Sequence, residues 1–81
     1  MQRVSSSPEY AEHLVRLGLA IRSTRKQLAL SQEALADLAG IDRSHMGKIE
    51  RGERNVSLLN VVRIAHALEC KPSDLLRSAQ L

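Results

Sequence analysis

Apolar residues recur at helical spacing along most of this chain, and polar capping residues cut the pattern into five segments. In the first, Leu14, Leu17, Gly18, Ile21 and Leu28 share a stripe that Arg16, Arg22 and Lys26 largely avoid, so helix 1 is expected to run to about Lys26 or Gln27. Ser7 can cap it, Pro8 suits its first position, and Glu9 meets the positive end of its dipole. Ser31 starts helix 2, whose apolar side is Leu35, Leu38 and Ala39, and Gly40 stops it. Asp42 caps helix 3, RSHMGKIER, with Met46 and Ile49 on one side and its end at Gly52. Ser57 caps helix 4, where Leu58, Val61, Val62, Ala65 and Leu68 are expected to face the core, and Pro72 opens helix 5 with Leu75 and Leu76. No alternating strand pattern remains. The pattern predicts an all-α five-helix bundle over residues 8–81, preceded by a polar, mobile tail at 1–7.

Composition narrows the class. Eighty-one residues, 43% apolar with Tyr10 as the one aromatic, support one small core and exclude a multidomain or large-cofactor enzyme. A net charge of +3 suits an anionic partner without demanding one. No apolar run approaches the roughly 20 residues needed to span a bilayer, and MQRVSSSPEY lacks a signal-peptide core, so the expected setting is cytoplasmic, without membrane contact. Cys70 has no partner for an intramolecular disulfide, which fits a reducing compartment.

The informative window is QEALADLAGIDRSHMGKIER, residues 32–51: two short helices joined at Gly40, the sequence form of a helix-turn-helix. Ala36 falls where the helices would cross and only a small side chain fits, while Leu35, Ala39, Ile41, Met46 and Ile49 would close the core beneath the turn. From Leu30 to Leu68, LSQEALADLAGIDRSHMGKIERGERNVSLLNVVRIAHAL resembles the lambda Cro/cI (XRE) family of DNA-binding domains. That resemblance implies a five-helix bundle that binds double-stranded operator DNA, usually as a dimer, with helix 3 in the major groove.

The residues of helix 3 suit that role on their own spacing. Arg43, Ser44, Gly47, Lys48 and Arg51 share a face opposite Met46 and Ile49, and that face carries no acid. Arg43 resembles the family position that reads base edges, where a guanidinium pairs with O6 and N7 of guanine; Ser44 and Lys48 are further reading candidates, with His45 beside them. Glycine inside a helix costs about 1 kcal/mol relative to alanine, so Gly47 is either a point of close approach to the groove floor or simply tolerated. Phosphate contacts are expected from Ser31 and Gln32 at the start of helix 2, Gln32 resembling the family's phosphate-clamping glutamine, and from Arg54, Asn55 and Ser57 between helices 3 and 4. For Ser31 and Ser57 capping alone is a sufficient alternative. By resemblance, Arg25 and Glu50 form a partly buried ion pair that orients helix 3.

No reaction or cofactor can be assigned. His66 and Cys70 lie four apart on helix 4 but lack a second pair of metal ligands, and Ser44 beside His45 does not make a triad. The expectation is a non-enzymatic transcription regulator, acting by occupancy without a small-molecule ligand. It would bind a near-palindromic operator as a homodimer, with recognition helices roughly 34 Å apart. Leu75, Leu76 and Leu81, on helix 5 with the end of helix 4, are expected to form the dimer surface, the alternative being that Leu75 and Leu76 simply close the monomer core. Glu33 and Asp37 on helix 2 are open to RNA polymerase or to water. Within the family, IDRSHMGKIERGERNVSL resembles the controller proteins of restriction-modification systems, a pattern shared with phage-type repressors and helix-turn-helix antitoxins. The competing reading is a protein-interaction module with weak, salt-sensitive DNA binding.

Overall fold

The computed structural model describes residues 8–81, so the expected Ser7 cap and the tail at 1–7 lie outside the described residues. Five helices and no strand are found there: α1 (Pro8–Gln27), α2 (Gln32–Ala39), α3 (Arg43–Glu50), α4 (Leu58–Ala67) and α5 (Pro72–Ser78). Helix α1 lies against α3 and α5, α2 against α3 and α4, and α4 against α5.

Capping chemistry sets the starts. The Ser31 hydroxyl accepts the Ala34 N–H at 2.9 Å, the Asp42 carboxylate accepts those of Ser44 and His45, and the Ser57 hydroxyl accepts that of Asn60. In α5 the order is reversed, the Lys71 N–H donating to the Asp74 carboxylate at 3.0 Å. The ends share one device. After each helix a residue with positive φ turns the chain, and the next N–H folds back onto the carbonyl five positions earlier: Leu30 to Arg25, Ile41 to Ala36, Glu53 to Lys48, Cys70 to Ala65 and Leu81 to Leu76, at 2.8–3.1 Å. Glycine fills the left-handed position only at Gly40 (φ 68°) and Gly52 (φ 75°); Ala29, Glu69 and Gln80 adopt it with φ of 57–62°.

The core draws on every helix: Leu17, Ala20 and Ile21; Leu35, Ala36 and Ala39; Met46 and Ile49; Val61, Ile64, Ala65 and Leu68; Leu75 and Ala79. Several expected core residues are outside it. Leu38 and Val62 are exposed because the buried stripes of α2 (35, 36, 39) and α4 (61, 64, 65, 68) pass beside them. Leu58 has the phase of the α4 stripe, but as the first helical residue it is 75% exposed, beyond the neighbours that cover Val61. Leu28 follows the end of α1 and is also exposed. Leu75, one of three residues expected at a dimer surface, is 1% exposed and closes the core; Leu76 is half-buried and Leu81 exposed.

Two glycines let α1 touch the end of α3 backbone to backbone. A Cβ on Gly18 would strike the carbonyl oxygens of Ile49, at 2.7 Å, and Glu50, while one on Gly52 would lie 2.7 Å from the Cα of Val15. The C-terminal end of α3 is therefore pressed onto α1 with no side chain between them.

Candidate nucleic-acid interface

The turn that reverses the chain between α2 and α3 occupies residues 40–42, and α3 then presents its polar side outward. Arg43 and Ser44 are exposed, His45 and Lys48 half-buried, and Arg51, just past the helix, exposed. Arg54, Asn55 and Ser57 follow on an exposed segment, and Ser31 is exposed at the start of α2. These residues can reach a duplex from a common set of elements. Asp42 limits how: its carboxylate already accepts the N–H groups of Ser44 and His45 in the first turn of α3, so those two amides are not free to take an outside anion.

Gly47 is not on the open face. It is buried, and a Cβ there would lie 3.2 Å from both the Gln32 Oε1 and an Arg51 Nη1, so two flexible side chains of the protein itself cover the position. The missing side chain makes room for the first residue of α2, and the expected approach to a groove floor is not visible from this surface.

Behind the face lies a buried polar network. The Arg25 guanidinium donates through Nε and Nη2 to both oxygens of Glu50, at 2.7 and 3.0 Å, and through Nη1 to the Leu30 carbonyl at 2.8 Å. The amide of Gln32 donates to Glu50 Oε1 at 3.1 Å. Arg25 and Glu50 are 9% and 6% exposed, so this two-point pair is shielded from water and its donors and acceptors are matched. It joins the end of α1, the α1–α2 turn, the start of α2 and the end of α3. The Gln32 amide, expected to clamp phosphate, is here engaged with Glu50.

The structure also brings acids to the edge of the basic face. Glu33 Oε2 lies 3.4 Å from an Nη of Arg43, and Glu53 takes Arg51 at two points, 2.9 Å from Nε and 3.3 Å from Nη2. The hydrogen bond from Arg51 holds the Glu53 carboxyl below its ordinary range, and the positive charges of Arg51, Lys48 and Arg54 act in the same direction. The outer face of α3 is free of acids, as its spacing implies, but its flanks are not. Nothing in the sequence pointed to Glu33, which meets Arg43 only once the turn has folded, or to Gln32 as part of the buried network; Glu53, two residues from Arg51, was a readable local signal.

No group of three or more His, Cys, Asp or Glu able to hold a metal occurs among the described residues. Cys70 is half-buried, and burial, followed by the nearby charge of Asp74, pushes its thiol up.

Comparison with known proteins places this geometry in context. The helix-turn-helix family matches residues 21–75. The control protein C.SmaI of Serratia marcescens is 43% identical over 56 residues, covering 69% of this chain and 67% of that protein. The control protein C.MunI of a Mycoplasma species is 39% identical over 62 residues, covering 75% of this chain and 84% of that protein. Among solved structures, the restriction-modification controller protein C.AhdI from Aeromonas hydrophila is similar with a TM-score of 0.75 and 50% identity, over 76% of this chain and 94% of its own. With the turn at residues 40–42 and a family match that covers α2, α3 and α4 in full and parts of α1 and α5, the chain belongs to the helix-turn-helix family of the Cro/cI type.

Proposed function

We propose that this protein is a sequence-specific transcription regulator that binds a near-palindromic operator as a homodimer, and that it serves as the autoregulatory controller of a restriction-modification system. The observation that carries the DNA reading is the outward row of exposed Arg43 and Ser44 and half-buried Lys48 on a helix anchored from behind by the buried Arg25–Glu50 pair and Gln32. A side chain that reads bases must be held in register, and here the register is set by groups other than the readers. Similarity to the control proteins C.SmaI and C.MunI and to the controller C.AhdI supports the finer assignment.

In this reading Arg43 pairs with a guanine, Ser44 and Lys48 contact neighbouring bases, and Ser31, Arg51, Arg54, Asn55 and Ser57 meet the phosphates. The protein acts by occupying DNA in the cytoplasm and performs no reaction. No described helix is long and apolar enough to cross a membrane. For the dimer contact, Leu58, Leu59 and Val62 leave an apolar flank of α4 open, a better candidate than α5 once Leu75 is in the core. Asp37, exposed on α2, is the acid most open to RNA polymerase, since Glu33 is paired with Arg43.

A footprint on DNA upstream of the protein's own gene, taken at two salt concentrations, tests the reading. The expected result is a bounded, symmetric footprint that persists at the higher salt and is lost in Arg43→Ala. Uniform weak protection that vanishes with salt would instead identify a module whose partner is a protein.

A further inference from the structure

Two of the cations that should meet DNA are already held by carboxylates. Arg43 meets Glu33 at 3.4 Å, with both side chains more than two-thirds exposed, and Arg51 is gripped at two points by Glu53. The second pair is well anchored, because the backbone N–H of Glu53 is bound to the Lys48 carbonyl at 2.9 Å, in the fold-back after Gly52. This places one acid among Lys48, Arg51 and Arg54, the most basic part of the surface next to α3.

Resting on the DNA reading above, we infer that Glu33 and Glu53 are intramolecular competitors of DNA: in the free protein they occupy Arg43 and Arg51 in place of phosphate, and so lower affinity for operator and unrelated DNA alike. A carboxylate offers a guanidinium the same planar two-oxygen acceptor that a phosphate does, so DNA must exchange one anion for another. An arginine already neutralised releases fewer counterions when it meets the duplex. The pairs of the free protein are broken whichever duplex it meets, so the exchange costs both complexes the same and leaves the ratio of their affinities unchanged.

The test is the dependence of affinity on salt, measured with the full chain on operator DNA and on an unrelated duplex of equal length, for the natural protein, Glu53→Gln, Glu33→Gln and a control, Asp37→Asn, which alters an exposed acid of α2 outside both pairs. All three positions are exposed, so a melting curve suffices to check folding. For Glu53→Gln the slope of log affinity against log salt on the unrelated duplex should steepen by about 0.9, equivalent to about eightfold tighter binding at 0.1 M salt if the lines converge at 1 M. Operator affinity should rise by a similar factor, so the specificity ratio is unchanged. Glu33→Gln should act in the same direction by a smaller factor, its pair being longer and single. Unchanged slopes for Glu53→Gln, an equal change in Asp37→Asn, or a gain on one duplex without the other would each overturn the inference while leaving the DNA reading standing. Failure of the natural protein and all variants to bind any duplex at low salt would overturn that reading and the inference with it.

Discussion

The two ends of α3 are built for opposite purposes. At the C-terminal end Glu50 is 6% exposed and accepts three hydrogen bonds from Arg25 and Gln32, while Gly18 and Gly52 bring α1 into direct contact with the backbone. At the N-terminal end one carboxylate cap suffices, and Arg43 extends into solvent with a single long contact to Glu33. Contacts are concentrated at the buried end, and the end proposed to read bases keeps a partner it can exchange. A helix held at one end in this way is aimed without committing the side chains at the other.

The contrast can be broken most severely at Gly18. Because a Cβ there meets carbonyl oxygens that cannot swing aside, Gly18→Ala should cost about 3 kcal/mol, measured by thermal or urea unfolding; a milder loss would show that α1 and α3 can slide apart. Glu50→Ala strands the Arg25 guanidinium in the core and should cost about 3 kcal/mol or more. A double-mutant cycle over Arg25 and Glu50 sharpens this, since additive losses would mean the pair does not lock the helix end.

At the other end the readout changes. Arg43→Ala should leave stability within about 0.5 kcal/mol and yet lower operator affinity by about 1–3 kcal/mol, roughly fivefold to 150-fold, in a binding titration. If it unfolds the protein instead, the two ends are not separate in function. A smaller effect isolates the fold-back from the pressure of α1: at Glu69, exposed and with φ 59°, glycine should stabilise the protein by about 1 kcal/mol, read as a rise in melting temperature.

The smallest expected effect is on pH. The folded-state pKa of Glu53 is depressed, so its pair stabilises the protein above the ordinary carboxylate range, and this contribution is lost as pH falls through the depressed value. The gap in melting temperature between the natural protein and Glu53→Gln should therefore be slight at neutral pH, because the pair is exposed, and should close in acid. A gap that widens in acid would reverse the assigned sign.

Much of the frame was readable in the sequence because its signals are local. Ser31, Asp42 and Ser57 carry caps that act within three residues, and Gly40 marks its turn by lacking a side chain. The end of α1 at Gln27 was readable from its stripe, but the left-handed turns at Ala29, Glu69 and Gln80 were hidden because they are set by the fold-back hydrogen bond rather than by residue type. Periodicity gave the phase of each helix but not the extent of its neighbours, which is why Leu58 shares the buried stripe of α4 and stays in solvent. In the site, family likeness suggested Arg25 with Glu50, 25 residues apart, but the third partner, Gln32, and the cover over Gly47 exist only after α2 and α3 have crossed.

The buried network has a further consequence for how such a protein can change. None of Arg43, Ser44 or Lys48 donates to or accepts from Arg25, Gln32 or Glu50, so the outer side of α3 can be rewritten without disturbing what holds the helix. Descendants of this chain could move to a new DNA sequence by a few surface substitutions, each neutral for folding, and two copies of the gene in one cell could come to ignore each other's sites while keeping the same interior.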